Sequence, residues 1–201
     1  MSDEEDYRTI GAGVKGPADG RSLARQSVTI TFKRTMSDLV TPDQFRAALG
    51  RFATGVTVIT VDTVEGEVHG MTANSFCSVS LRPPLVLVCI DQLAETYLHL
   101  HESGQFGVSV LKEAQEALSE FFADPERNPD AAYRLGIQYC KLASGTPVLE
   151  DALANLDCRV TAAYPAGDHT IFVAEVLEVV LSEGAPLMYF RGRYGVDREL
   201  P

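Results

Sequence analysis

The sequence has no tryptophan, few basic residues and no apolar run of the length that a membrane span requires. Lys and Arg number 17 against 28 Asp and Glu, which gives a formal net charge of -11. This deficit disfavours nucleic-acid binding, because proteins that hold polyanions cluster basic side chains. A small phosphorylated ligand is still compatible, since a nest of backbone N–H groups binds phosphate locally. We expect neither a nucleic-acid partner nor a membrane.

The sequence has only four cysteines, Cys77, Cys89, Cys140 and Cys158, and they show no metal-binding pattern. No two cysteines have C-x-x-C spacing and no histidine cluster completes a zinc pattern, so no metal site is expected. Cys89 lies in the apolar run LVLVCI, which predicts a buried, reduced thiol.

The first residues, MSDEEDY, are acidic where a secretory signal is basic and then apolar. The sequence therefore predicts a cytoplasmic protein.

Two short motifs match known patterns in the wrong surroundings. Gly11 to Gly16 reads G-x-G-x-x-G, but no buried strand precedes it and no helix follows, which argues against a dinucleotide-binding fold. Ser109 begins an S-x-x-K match, yet it lies inside a predicted strand and the partner motifs of acyl-transfer enzymes are missing. His99 and His101 are two residues apart on a predicted helix, which points them to different faces and disfavours a shared metal.

Composition divides the chain into a tail, residues 1–36, and an ordered domain, residues 37–201. Gly, Ser and charged residues dominate the tail, so we expect it to be flexible. The domain opens with a helix: Thr41 is a good N-cap, Pro42 suits the first helical position and Gln44 completes a capping box. Apolar residues then repeat at helical spacing, at Phe45, Ala48, Leu49 and Phe52.

Strand-like runs make up most of the remaining chain. GVTVITV, followed by the turn VEGEV, predicts a hairpin with the extended stretch HGMTANSFCSVSL, and LVLVCI and QFGVSVL predict further strands. Later strands are expected at 156–164, 169–182 and 187–191, and helices at ETYLHLHES and EAQEALSEFF. Because regular βαβ alternation is missing, the predicted fold class is mainly β with flanking helices, an antiparallel sheet closed into a barrel.

The stretch GMTANSFCSVS has an unusual composition for a strand, whose interior favours bulky β-branched and aromatic residues. Its small hydroxyl and amide side chains leave space and offer hydrogen bonds, which suits the close approach of a flat polar ligand. A solvated edge strand explains the same composition without a ligand. The residues concerned are Thr72, Ala73, Asn74, Ser75, Ser78 and Ser80.

The chain resembles the flavin reductase-like, FMN-binding split-barrel family in five ordered blocks: FRAALGRFATGVTVIT, GMTANSFCSVSLRPPLVLVCI, SGQFGVSVL, GDHTIFVAEV and PLMYFRGRYG. The resemblance implies a six-stranded antiparallel split β-barrel that forms a homodimer and binds FMN or FAD along a barrel edge. It also implies NADH or NADPH as electron donor and a separate flavin-dependent monooxygenase as partner. In GVSVL the chain departs from the family, because Ser109 stands where relatives commonly have Asn.

The resemblance further implies flavin-binding residues on three segments. The TANSFCSVS stretch would lie along the flavin from ring to phosphate, the segment after the first helix would approach from a neighbouring strand, and the end of LVLVCI with the next helix would border the phosphate or an adenylate. In that order the residues are Thr72, Ala73, Asn74, Ser75, Ser78, Val79 and Ser80; Gly55, Val56 and Thr57; and Cys89, Ile90, Asp91 and Thr96.

His169 and Tyr194 are the candidate catalytic residues, since the resemblance places them on the nicotinamide side of the flavin. Hydride transfer needs no protein nucleophile, because the flavin is the electron sink and the protein mainly has to stack the nicotinamide against it. We expect His169 to orient the nicotinamide or stabilise charge on the flavin. The structural alternatives are that His169 caps its strand and that Tyr194 packs the barrel end.

The main hypothesis is therefore an NAD(P)H-dependent flavin oxidoreductase. Two alternatives stay open: a non-catalytic flavin- or haem-binding split-barrel protein, and an FMN-dependent oxidoreductase that acts on another substrate. Consumption of NAD(P)H with added free flavin distinguishes the first hypothesis from both.

Overall fold

A computed structural model describes residues 40–195. The predicted flexible tail and its boundary at residues 36 and 37 lie outside the described residues. The chain divides into two compact units, residues 1–46 and 47–201. The described part of the first unit contains the start of helix α1 (Pro42–Leu49), and the second unit contains all later elements. No helix of the described part is long and apolar enough to span a membrane.

The predicted capping box opens α1. The backbone N–H of Gln44 donates to Thr41 Oγ1 over 3.2 Å, and the backbone N–H of Thr41 donates to Gln44 Oε1 over 3.0 Å. Two of the helix's free N–H groups are thereby satisfied, as such a box requires. The helix ends at Leu49, before Phe52, and none of its residues is buried.

The described residues form twelve strands and four helices. The further helices are α2 (Glu95–Ser103), α3 (Glu116–Ala123) and α4 (Pro129–Arg134). The strands, in chain order, are β1 (Thr54–Gly55), β2 (Thr57–Asp62), β3 (Val68–Ala73), β4 (Cys77–Leu81), β5 (Pro84–Asp91), β6 (Gln105–Val110), β7 (Tyr139–Lys141), β8 (Pro147–Leu149), β9 (Ala154–Ala166), β10 (His169–Leu181), β11 (Met188–Phe190) and β12 (Arg193–Gly195). The predicted class, mainly β with flanking helices, is confirmed.

Seven strands form the main antiparallel sheet, in the order β3-β2-β6-β9-β10-β5-β4. Smaller sheets contain β1-β11-β12 and β7-β8. The main sheet thus has one strand more than the six that were predicted. Its end strands β3 and β4 do not pair with each other, so the ladders of the described residues do not close a barrel.

The sheet is nevertheless strongly curled. β3 and β4 lie at its opposite edges, yet only residues 74–76 separate them along the chain. A flat sheet of seven strands is about 29 Å wide, whereas the four steps from residue 73 to residue 77 span at most about 14 Å. The two edges must therefore lie near each other. The prediction of one continuous extended stretch at HGMTANSFCSVSL is wrong, because the chain turns there from one edge to the other.

The hydrophobic core lies against this curled sheet in two clusters. The larger contains fully buried side chains from β2, β5, β6 and β10, among them Ile59, Val88, Phe106 and Phe172. The smaller is built around Val58, Leu111, Phe122, Leu149 and Leu187, with Tyr189 and Tyr194 packed against it. Burial of such side chains is the main favourable term that holds the sheet in this shape.

Candidate functional site

Ser75 connects the turn between the two sheet edges to β5. Its Oγ donates to the carbonyl of Cys89 over 2.9 Å and accepts from the N–H of Cys89 over 3.2 Å. The pairing of Cys77 with Leu87 sets the β4–β5 register, so Ser75 lies opposite Cys89 where the ladder has already ended. The hydroxyl therefore takes the place of a missing strand partner and fixes the path of the turn.

Exposed polar groups follow this turn. Asn74 and Ser78 are exposed, Ser80 is half-buried, and the register of β4 shifts between Ser78 and Ser80, which leaves Val79 without a partner residue on β5. Because β4 is an edge strand, the side of its backbone that faces away from β5 has no ladder partner. We call residues 74–80 the ledge: it offers an amide, hydroxyls and free backbone groups.

The predicted residues of the neighbouring segment divide into one exposed and two buried positions. Gly55 is exposed, and a Cβ added to it would meet nothing within 4 Å. Val56 and Thr57 are buried, and Thr57 Oγ1 donates to the carbonyl of Ala73 over 2.6 Å. Ala73 is itself buried. Thr57 thus holds the residue that precedes the ledge, Val56 packs in the smaller core cluster, and Gly55 leaves open space.

Thr72 and Tyr194 are joined by Ser119 of α3, which the sequence reasoning did not identify. Thr72 Oγ1 donates to the carbonyl of Ser119 over 2.7 Å, and Ser119 Oγ donates to Tyr194 Oη over 2.9 Å. Ser119 is fully buried. The only sequence signal was a serine on the apolar side of an amphipathic helix. This contact fixes the Tyr194 hydroxyl next to β3.

Gly70 allows α3 to lie close to β3. A Cβ at Gly70 would stand 2.8 Å from Phe122 Cε1, a distance that real Cβ atoms do not show. The close approach brings Ser119, one helical turn before Phe122, within hydrogen-bond distance of Thr72.

The predicted residues of β5 and α2 have different surroundings. Ile90 is fully buried in the core, and Cys89 is half-buried rather than buried as predicted. Burial raises the pKa of the Cys89 thiol, and the neighbouring Cys77 raises it further. Asp91 Oδ1 accepts from the N–H of Leu93 over 2.9 Å. Thr96 is 1% exposed, and its hydroxyl lies 2.9 Å from His69 Nε2.

His169 begins β10 and pairs with Asp91, two residues beyond Cys89 on β5. Its Nδ1 lies 2.7 Å from Asp168 Oδ1, and its ring is partly exposed. This hydrogen bond, followed by the backbone and the charge of His169, holds the pKa of the Asp168 carboxyl below its usual range. The carbonyl of His169 accepts from Gln92 Nε2 over 3.1 Å, so the residue also anchors the start of its strand.

The Ser75→Ala variant is expected to lose about 1–3 kcal/mol of unfolding free energy. It leaves both the N–H and the C=O of Cys89 without their partner at a half-buried position. Urea unfolding followed by far-UV circular dichroism measures the loss, since the chain has no tryptophan to report on it.

A matched control exists at Ser103, whose Oγ donates to the carbonyl and accepts from the N–H of Gln105 at an exposed turn. Ser103→Ala should change stability by less than about 0.5 kcal/mol, because water replaces the lost contacts. Equal losses in the two variants would show that Ser75 has no special role in closing the sheet edges.

The described fold and site define a mainly β protein that exposes a hydrogen-bonding ledge where its curled sheet stays open. Residues 49–196 match the family model described as flavin reductase like domain. The chain belongs to this family, and the resemblance drawn from the sequence is confirmed.

The chain is also similar to individual flavin reductases over most of its length. An NADH-dependent flavin reductase of a Rhodococcus species is 45% identical over 157 residues, which cover 77% of this chain and 86% of that protein. The solved structure of the styrene monooxygenase flavin reductase from Pseudomonas putida shares 38% identity, with a TM-score of 0.69 and coverage of 78% and 98%. The NADH:FAD oxidoreductase of Streptomyces globisporus, solved in complex with NAD and FAD fragments, shares 38% identity, with a TM-score of 0.70 and coverage of 79% and 95%.

Proposed function

We propose that the protein is an NADH-dependent flavin reductase that reduces FMN or FAD and releases it to a separate monooxygenase. The observation that best supports this proposal is the ledge, which lies at the open sheet edge of a chain that belongs to the flavin reductase family. NADH is favoured over NADPH because the Rhodococcus and Streptomyces relatives are both named for NADH. A monooxygenase partner is supported by the Pseudomonas relative, the reductase of a styrene monooxygenase.

The described residues fit a flavin in their chemistry. The isoalloxazine ring is flat and carries alternating donors and acceptors, and the ledge supplies exposed Asn74 and Ser78 with the unpaired edge of β4. Open space at Gly55 lets a planar group approach the backbone. When bound, the flavin supplies the electron sink for a hydride from NADH. The other residues that the family resemblance assigns to flavin binding are part of the same proposal.

The protein's own residues then have to position the two nucleotides and keep the ledge rigid. Ser75 fixes the turn, and Ser119 fixes both Thr72 and the Tyr194 hydroxyl. His169 can turn its partly exposed ring toward the nicotinamide while Asp168 holds Nδ1. Backbone N–H groups along β4 would stabilise the negative charge of a bound reduced flavin, in the manner of an oxyanion site. Positioning is sufficient for this reaction, because no protein bond is made or broken.

Steady-state oxidation of NADH and NADPH with FMN, FAD and riboflavin tests the proposal. We expect rapid loss of NADH absorbance with free flavin and a much higher KM for NADPH. A protein that binds flavin but leaves NADH untouched would be a flavin-binding module. A protein that retains its flavin through gel filtration and turns over poorly with added FMN would act on another substrate.

We also propose a homodimer, because exposed apolar side chains crowd one end of β10. Val179 is 51% and Leu181 76% exposed on one face of the strand, Val180 is exposed on the other face, and Leu177 is exposed at the register shift before them. A second copy of the chain related by a two-fold axis would cover this patch and the open sheet edge, completing the split-barrel arrangement. A cytoplasmic location belongs to the same proposal, since NADH and a monooxygenase would be available there.

Light scattering is expected to give a mass near twice the 21.8 kDa of one chain. Replacing Val179 and Leu181 together by lysine should shift the protein to the monomer, because burying two charges opposes association. As a control, Leu98→Lys alters an exposed leucine on α2 and should leave the mass unchanged. A wild-type protein with the mass of one chain would contradict the dimer without affecting the proposed reaction.

A further inference from the structure

Three metal-ligating side chains meet at β3 and the first turns of α2, apart from the ledge. His69, Glu95 and His99 each offer one donor atom, and these atoms all lie within 4.8 Å of one another. Glu95 lies between the two rings, with Oε2 3.8 Å from His69 Nδ1 and Oε1 3.6 Å from His99 Nε2. Glu95 and His99 are one helical turn apart, so both project from one face of α2 toward β3. We call these residues the His–Glu–His cluster.

The geometry points to a binding site for one divalent transition-metal ion, Zn²⁺ by the chemistry of its donors, formed by His69, Glu95 and His99. Two imidazoles, which are borderline donors, and one carboxylate, which is a hard donor, form a set that zinc uses in three-ligand sites that keep a fourth position open. Donors around zinc stand about 3.5 Å apart. Glu95, whose side chain is 71% exposed, can rotate to adjust the distances from its carboxylate to both rings.

His69 is already held in the orientation that metal binding requires. Its Nε2 lies 2.9 Å from the hydroxyl of Thr96, and Arg127 Nη2 lies 3.4 Å from its Nδ1. A guanidinium only donates, so Nδ1 is the acceptor and the proton lies on Nε2, which donates to Thr96. A metal-bound histidine typically donates its other ring N–H to such a partner, which fixes the ring and the tautomer.

A simple ion pair accounts for the cluster less well. With Nδ1 as the hydrogen-bond acceptor, the His69 ring carries no proton on the side of Glu95, whose carboxylate lies 3.8 Å away, so the two do not form an ordinary ion pair. A cation between the three residues relieves the unfavourable contact of lone pair and carboxylate. Arg127 is the cation that occupies this vicinity, and we infer that it competes with the metal.

Calorimetric titration of the untagged, chelator-treated protein with Zn²⁺, and of the Co²⁺ form by its visible spectrum, tests the site. We expect one ion per chain and a higher Tm in the presence of zinc. His99→Ala and Glu95→Gln should each weaken binding at least about tenfold, and removal of the supporting hydroxyl in Thr96→Val should weaken it by about 10–100-fold. Arg127→Met should tighten binding, an effect that a merely structural cluster would not show.

Two controls separate this site from adventitious binding. His101→Ala removes another histidine of α2 that lies outside the cluster, and Cys77→Ser removes an exposed thiol; neither should change the affinity. Absence of stoichiometric zinc binding, binding that survives in both His99→Ala and Glu95→Gln, or binding lost in Cys77→Ser would overturn the inference. Glu95 is exposed, so its variant remains informative even if a substitution at half-buried His69 impairs folding. Because the readout is metal binding, failure here leaves the proposed reductase activity unaffected.

Discussion

The Gly107→Ala variant should unfold at a markedly lower urea concentration than the wild type, with a loss of about 3–5 kcal/mol. A Cβ at Gly107 would stand 2.3 Å from the carbonyl oxygen of Pro147, 2.6 Å from Val148 Cγ1 and 2.7 Å from Thr60 Oγ1. Two of these neighbours belong to β8, which packs against β6 at this point. The methyl group therefore cannot be accommodated by rotating one flexible side chain, and β8 has to move.

Moving β8 also breaks buried hydrogen bonds, because side chains rather than a ladder attach this strand to the main sheet. Thr60 Oγ1 donates to the carbonyl of Pro147. The N–H of Leu149 donates to Ser109 Oγ over 3.0 Å, and Asn155 Nδ2 donates to the carbonyl of Leu149 over 2.9 Å. Each buried bond that is lost costs about 1–3 kcal/mol, which adds to the steric strain.

Gly55→Ala is the matched control for this prediction. Its Cβ meets nothing within 4 Å and no positive φ is found there, so stability should change by less than about 0.5 kcal/mol. Far-UV circular dichroism in urea follows both variants. If Gly107→Ala unfolded at the same urea concentration as Gly55→Ala, the close packing of β8 on β6 would be wrong.

The contacts of β8 also explain the departure from the family at Ser109. The sequence shows serine where relatives commonly have asparagine and leaves open whether a flavin contact changes. In the structure Ser109 is fully buried and its Oγ accepts from β8, so the side chain serves the attachment of β8. Its partner across the β6–β9 ladder is Asn155, which supplies an amide at the neighbouring position.

Elements whose signals are local could be predicted from the sequence. The capping box of α1, the bounds of α2 at Glu95–Ser103 and the strand at 169–182 follow from caps, glycine and periodicity, all of which act within a few residues. The small elements α4, β7, β8 and β12 were not predicted. They are short, and their formation depends on packing against distant strands rather than on their own periodicity.

The composition of the candidate site could be read from the sequence, but its shape could not. GMTANSFCSVS was compatible with a ligand surface and with a solvated edge strand, and nothing local shows that the chain crosses between two sheet edges at residues 74–76, because the pairing of β4 with β5 decides this. Ser119 was missed because a serine in a helix is ordinary until its burial is known. The His–Glu–His cluster was missed for a similar reason, since spacing along α2 alone compares His99 with His101 and cannot find His69.

The His169→Ala variant is expected to raise the KM for NADH about tenfold while the KM for flavin stays within about twofold, if the proposed reductase activity is correct. The ring of His169 is partly exposed and held by Asp168, whereas the backbone contact of His169 with Gln92 survives the substitution. The variant therefore removes the ring alone, and its stability should be close to that of the wild type. Loss of an interaction that is equal in the ground and transition states raises KM and leaves kcat unchanged.

The Asp168→Asn variant keeps the His169 ring and removes the carboxylate that holds it, so it tests the contribution of positioning alone. The hydrogen bond with His169 lowers the pKa of Asp168, so the carboxylate form that holds Nδ1 is present at neutral pH and is lost only as the pH falls through that lowered pKa. The neutral amide should therefore raise the KM for NADH by a smaller factor, about threefold. The difference in KM between this variant and the wild type should shrink in acid, as wild-type Asp168 becomes protonated. His101→Ala, which alters another exposed histidine, should leave both KM values unchanged. A rise in the KM for flavin in place of NADH would place His169 against the flavin, and a loss of stability with unchanged kinetics would reduce it to a residue that caps the start of β10.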